Sequence, residues 1–225
     1  MSKRHPVQSR TLRILSSAQV VNGVGVSSTI AAGSLLVNSM AHSDAIAGLA
    51  QTMSVMGAAL MAIPLARLTN RGGRRLALLS GYGVAVLGAT TVVVAGAAGW
   101  LVVTLLGILL LGAASATSYQ ARFAALDLAT NDTKSRDLAL VVWGSTFGAV
   151  VGPNLVTGAG AIAVQLGLPH LAGAYGVPLL FVGAAALLTA VTLRPDPATL
   201  SPVVALPANR RPASLRTILA RPRVL

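Results

Sequence analysis

Six stretches of this chain are almost continuously apolar, and short polar or basic segments separate them. They cover residues 14–37, 45–65, 76–97, 100–126, 138–162 and 173–193. Each is long enough to cross a hydrocarbon layer of roughly 30 Å, which takes about 20 apolar residues in a helix. The segments near 38–44, 98–99 and 163–172 are short, so the helices they join are antiparallel neighbours. The fourth run is long and polar at its far end, so its last turns are expected to project past the lipid boundary. The predicted fold class is therefore all-α: a polytopic membrane helix bundle of six transmembrane helices over residues 14–193. A tail over 1–13 precedes it. From 194 to 225 the composition shifts to a linker punctuated by Pro195, Pro197, Pro202, Pro207 and Pro212, ending in what resembles the basic lead-in to a further segment.

Charge gives this bundle an orientation. Of the 17 Lys and Arg residues, all but Arg122 fall in the tail, in the linker, or in the loops after the second and fourth runs. The three loops on the opposite side carry none. Cytoplasmic loops of inserted proteins have this bias, so both termini are expected in the cytoplasm. A net charge of +12 and a pI near 11.8 would otherwise suggest a nucleic-acid binder. The cations are spread over four segments and aromatics make up 4% of the chain, so basic loops against anionic lipid headgroups are the expected partner surface instead.

Composition narrows the function. A mean hydropathy of +0.75 with 10% charged residues excludes a soluble protein, and the six helices leave no room for a separate soluble domain. There is no cysteine, and His5, His42 and His170 are isolated from one another, so neither a metal site nor a cofactor is expected. The apolar run from Ile14 exceeds a signal peptide's core of roughly 7–15 residues, which favours an uncleaved first span over a leader ending near Ser39-Met40-Ala41. Phosphate-binding, zinc-protease and nucleophile-elbow motifs are missing, so an enzyme is not expected. Fifteen Arg against two Lys suggests a GC-rich bacterial genome, hence the plasma membrane.

The loop between the second and third runs reads Ala66-Arg-Leu-Thr-Asn70-Arg71-Gly72-Gly73-Arg74-Arg75. Its two glycines permit a tight turn with positive φ. Its arginines suit the interface, where they can pair with carboxylates or helix C-termini. This segment resembles the Gly-x-x-x-Asp-Arg-x-Gly-Arg-Arg signature of the major facilitator superfamily in the same loop. Arg71, Gly73, Arg74 and Arg75 match, while Ala66 and Asn70 replace the family's Gly and Asp. The resemblance implies a conformational latch on the cytoplasmic face, weakened where Asn70 substitutes a neutral group for a charge.

A second segment, Gly144-Ser-Thr-Phe-Gly148-Ala-Val-Val-Gly152-Pro153, sets glycines four apart on one face of the fifth run. Such a ridge lets another helix approach closely, and Pro153 removes a backbone donor and should bend the helix. It resembles the Gly-x-x-x-Gly-Pro motif of drug/proton antiporters in that superfamily, although Asn154 and Leu155 replace the Gly pair that usually follows. Packing ridge and antiporter motif are compatible.

Polar residues within the runs are few: Gln19, Asn22, Gln51, Tyr119, Gln120, Arg122 and Asn154. Each can line a cavity or make an interhelical hydrogen bond. Arg122 lies about 33 Å along the helix axis from Trp100, near the cytoplasmic boundary, where it can snorkel. Asp127 either is exposed or pairs locally, or else supplies a carboxylate to Arg71, Arg74 or Arg75. The chain has no Glu, and no Asp is embedded mid-span, so a proton-coupling group would have to come from elsewhere.

The resemblance covers essentially the whole chain as the N-terminal half of a protein with two six-helix halves. It implies secondary active transport of a small solute by alternating access, with drug or proton-coupled efflux suggested by the fifth run. One half forms one wall of a site, so the chain is expected to work with a C-terminal half or a second copy of itself. The alternative is a non-transporting membrane module or a partner of a full-length transporter, for which an exposed Gly144/Gly148/Gly152 ridge would serve. Intact mass of the natively expressed protein separates these: a value near twice 22.7 kDa would mean the front half of a twelve-helix transporter, whereas a value near 22.7 kDa leaves six helices to act with a dimer mate or a partner, or not at all.

Overall fold

The computed structural model describes residues 8–127, 129, 132–194 and 196. The tail 1–7 and most of the linker 194–225 lie outside them. Seven α-helices account for the described chain: α1 (Gln8–Ala41), α2 (Asp44–Ala98), α3 (Leu101–Leu111), α4 (Ala113–Leu126), α5 (Lys134–Gln165), α6 (His170–Ala174) and α7 (Gly176–Thr192). This is an all-α membrane bundle with no strand among the described residues. Five uninterrupted stretches are long and apolar enough to cross a membrane, counting α3 with α4 and α6 with α7.

The 55 residues of α2 would span about 80 Å as a straight rod, far more than a bilayer core. They form two crossings joined at Gly73, whose φ of 84° and ψ of 177° break the helix. The chain reverses there: a Cβ on Gly81 would lie 3.1 Å from Leu65 Cδ1, although the two residues are 16 apart in sequence. Six crossings result. The basic loop between the second and third is shorter than the sequence suggested, because helix continues through Gly72 and resumes at Arg74. Three further reversals use left-handed residues. His42 (φ 52°) ends α1, with its amide bonded to Asn38 O at 2.7 Å. Gly99 (φ 75°) ends α2, and Gly167 (φ 77°) follows α5.

Two small-residue seams hold the bundle. Along one, α1 lies against α5 with the backbones nearly touching. A Cβ on Gly148 would fall 2.5 Å from Val20 O and 2.6 Å from Val24 N, and one on Gly144 would fall 2.7 Å from Ser16 O. A Cβ on Gly152 would collide with Ser27 Oγ. The Gly144/Gly148/Gly152 ridge is therefore buried inside the half, not exposed as a docking surface. It is used up by α1 because glycines four apart present one flat face of α5 to the nearest helix. Pro153 sits inside α5, which continues through it as helix. The other seam joins both arms of α2 to α3, where a Cβ on Gly57 would strike Leu109 O and one on Gly88 would fall 2.5 Å from Leu111 N.

These seams predict a graded response in detergent-solubilised protein. Gly148→Leu should lower stability by about 1–3 kcal/mol or more, read as a drop in thermal-unfolding midpoint, because neither backbone can move aside cheaply. Gly158→Ala, inside α5 where a Cβ meets nothing within 4 Å, should not lower the midpoint.

Candidate functional site

Two polar assemblies interrupt the apolar bundle. The first is at the cytoplasmic end, where α2 restarts after Gly73. The Arg74 guanidinium grips Asp127 in a fork: Nε to Oδ2 at 2.7 Å and Nη2 to Oδ1 at 3.0 Å. Its remaining arm, Nη1, donates to Gln120 Oε1 at 3.1 Å. The side chains of Arg74 and Asp127 keep 16% and 14% of their surface exposed, so this pair is shielded enough to contribute beyond a typical surface bridge. Arg75 reaches the other way, donating from Nη2 to Ala190 O at 2.7 Å in the last turns of α7. Thus adjacent arginines tie the third crossing to the fourth and to the sixth.

A carboxylate unassigned from sequence completes this knot. Asp196 accepts the Arg74 amide on Oδ1 at 3.1 Å and the Arg75 amide on Oδ2 at 2.8 Å. These are among the first amides of the restarted helix, which have no intrahelical acceptor, and the helix N-terminus favours negative charge. Any Cβ on Gly73 would overlap the Asp196 carboxylate, so this glycine is required twice, for its φ and for its missing side chain. Asn70 and Arg71 stand exposed beside the knot. Of the predicted latch residues, Arg74, Arg75, Gly73 and Asp127 are brought together, while Asn70 and Arg71 are at its rim.

A smaller tie lies alongside. Gln8 Nε2 donates to Asp137 Oδ2 and to Ala125 O, both at 2.9 Å. Gln8 and Asp137 are wholly buried, and they join the starts of α1 and α5 to the end of α4. Gln8 falls in the predicted tail, and Asp137 is not among the predicted site residues. One signal was present: with 5 Asp against 17 cations, each carboxylate near a basic loop was a candidate partner.

The second assembly is a pocket of about 220 Å³ between α1, α4 and α5. Its polar wall comes from Ser27, Ser115, Ser118, Tyr119, Arg122 and Ser145. Behind that wall, Asn22 Nδ2 donates to Ala114 O at 3.2 Å and Ser118 Oγ at 2.8 Å, and Gln19 Nε2 donates to Ser118 O at 3.2 Å. Asn22 lies 14 residues along α1 from Gln8, about 21 Å deeper. The pocket therefore lies along the middle turns of α1, away from both ends of that helix. Gln19 and Asn22, both fully buried, brace α1 against α4 and do not line the space. Gln120 belongs to the knot. Gln51 lines a separate hollow of about 310 Å³ near Thr29 and Ser54. Asn154 is exposed and donates to Val150 O of its own helix at 2.8 Å. Tyr119 and Arg122 alone of the predicted cavity residues face the pocket, and the four serines, individually unremarkable in sequence, were missed.

A family model described as Major Facilitator Superfamily matches residues 15–225. The Bacillus subtilis (strain 168) protein named uncharacterized MFS-type transporter YdeG is 34% identical over 214 residues, covering 93% of this chain and 49% of that protein. A second B. subtilis protein, named uncharacterized MFS-type transporter YddS, is 33% identical over 207 residues, covering 90% of this chain and 47% of that protein. A Brucella anthropi protein named riboflavin transporter RfnT is 33% identical over 150 residues, covering 65% of this chain and 37% of that protein. The chain thus spans about half the length of the two B. subtilis relatives.

Double-mutant analysis checks the cytoplasmic knot. Asp127→Asn should cost about 1–3 kcal/mol of stability, as for a hydrogen bond to a charged group. Swapping the charges, Arg74→Asp with Asp127→Arg, should restore part of it, and zero coupling between the two positions would show that the fork is decorative. Asp196→Ala should cost about 1 kcal/mol as a lost helix cap.

Proposed function

This chain belongs to the Major Facilitator Superfamily, and we propose that it acts as one six-helix half of a secondary transporter for a small solute. In this proposal a second half supplies the facing wall, and rocking of the halves exposes the site to each side in turn. The observation that carries the proposal is the hydroxyl- and guanidinium-lined pocket at depth, between three helices whose outer surfaces are apolar. Polar groups inside a membrane are costly unless they face protein or water, and they mark solute pathways. The cytoplasmic knot then serves as the latch, since its fork and its cap hold the third, fourth and sixth crossings in one arrangement. Residence in the plasma membrane of a bacterium follows from the same proposal.

Coupling is a separate matter. All five carboxylates of the chain sit at helix ends or in loops: Asp44, Asp127, Asp132, Asp137 and Asp196. A proton-coupled cycle would therefore draw its embedded carboxyl from the second half. The relative named a riboflavin transporter makes riboflavin the first solute to try. The reading as a docking module loses its main support, because the glycine ridge it would use is buried against α1.

Proteoliposomes containing this chain together with a second six-helix half should show saturable uptake of riboflavin, or of one member of a panel of small amphipathic solutes, above protein-free vesicles. Arg74→Gln should slow it. Uptake no faster than in empty vesicles across the panel, with the protein verified as folded, overturns the transport proposal.

A further inference from the structure

Arg122 borders the pocket between α1, α4 and α5, and no carboxylate among the described residues pairs with it. Its Nε is buried without a hydrogen-bond partner, and its guanidinium lies over the Tyr119 ring, 5.1 Å from carbon to centroid. Arg74 offers the contrast, with three side-chain bonds to Asp127 and Gln120. Asp127 lies five residues further along the chain, about 7.5 Å towards the cytoplasm, and its fork is turned to Arg74. A snorkelling arginine would extend towards that boundary. Arg122 instead borders the pocket with Ser115, Ser118 and Tyr119, which recur on the same face of α4.

The hydroxyls add donors of the same polarity. Ser118 Oγ accepts from Asn22 at 2.8 Å, which leaves its own proton free to point into the space. Ser115 and Tyr119 contribute further hydroxyls. Ser27 and Ser145 spend their protons on the backbone, at Gly148 O (3.1 Å) and Val142 O (2.7 Å). No carboxylate borders the pocket among the described residues. A half-buried guanidinium beside free O–H groups is complementary to a carboxylate, sulfonate or phosphate group, which would also satisfy its buried Nε.

We propose that this pocket binds the anionic group of a solute through the Arg122 guanidinium, with Ser118 and Ser115 as additional donors. The identification of the occupant as a transported solute rests on the transport proposal above; the anion preference rests on the pocket alone. Charge-assisted bonds of this kind discriminate an anion from its neutral analogue by about tenfold or more.

Arginine-selective modification with phenylglyoxal, followed by peptide mass spectrometry, tests this on the unmutated protein in maltoside micelles. Benzoate should slow modification of Arg122 about tenfold, the neutral isostere benzamide should not, and the exposed Arg71 should be indifferent to both. Repeating the reaction in nanodiscs containing phosphatidylglycerol, without benzoate, separates solute from lipid. Arg122 should stay reactive there, and protection by the lipid alone would assign the site to headgroups and overturn the proposal. Equal protection by benzamide overturns it too, because shape and not charge would then be read. An Arg122 that is inert in every condition would show that a carboxylate elsewhere in the protein is already paired with it, which likewise overturns the anion site. The two proposals fail separately. Benzoate protection without solute uptake in vesicles leaves the anion site standing and removes transport. Uptake of solutes that is unchanged by Arg122→Gln and blind to their charge leaves transport standing and removes the anion site.

Discussion

Within hydrocarbon, helices gain little by hiding apolar surface from lipid that is equally apolar, so a bundle must be held by close packing and by polar contacts. Here the requirement falls on glycine. The α1–α5 seam exists because Gly144, Gly148 and Gly152 let the carbonyls of Ser16, Val20 and Val24 lie where side chains would otherwise be. The α2–α3 seam depends in the same way on Gly57, Gly88, Gly107 and Gly112. Everything polar in the bundle depends on these approaches. Gln19 and Asn22 reach the backbone of α4 only because α1 is held close to it, and the pocket is walled by helices whose spacing the glycines set.

The second organising force is electrostatic and confined to the cytoplasmic side. The chain has 17 cations against 5 carboxylates, and its basic loops suit anionic headgroups. The carboxylates are spent where they hold helices together: Asp127 on the Arg74 side chain, Asp196 on the amides of Arg74 and Arg75, and Asp137 on Gln8. Asn70, where the family signature has Asp, lies exposed at the rim of this knot. The negative charge at the head of the third crossing comes instead from Asp196, beyond the sixth, which is therefore part of the knot.

What could be read from sequence divides along physical lines. Membrane spans are dictated by local hydropathy, so six crossings and their order were legible, and helix ends moved by several residues where α1 and α5 run on into the cytoplasm. The likeness of residues 66–75 to a family signature was legible too, and the family assignment holds. Contacts between distant segments were harder. Asp127 and Arg74 are 53 residues apart, and only charge and side of the membrane pointed to their pairing. Asp196 lies 122 residues from Arg74, between two prolines, and no local pattern links it to a helix terminus. Glycines four apart mark a packing face on sight, but which helix that face meets is a question of tertiary geometry. Serines in an apolar run carry little periodic signal, so the pocket emerged only once three helices were placed around it.

The two polar assemblies share one helix. On α4, Ser115, Ser118, Tyr119 and Arg122 face the pocket, while Gln120 faces the knot and Asp127 caps the same helix at its cytoplasmic end. Tyr119 and Gln120 are neighbours in sequence, about 100° apart around the axis, so one short rod presents one face to each assembly. Packed helices respond to strain by moving as units between discrete arrangements, because interiors at native density do not deform smoothly. A displacement of α4 that reseats Arg122 therefore also displaces Gln120 and Asp127 relative to Arg74. The fork at 2.7 and 3.0 Å is geometrically demanding, and a shift of about an ångström is enough to weaken it. The pocket and the knot are thus borne by a single helix, on which Gln120 is the residue that accepts from Arg74.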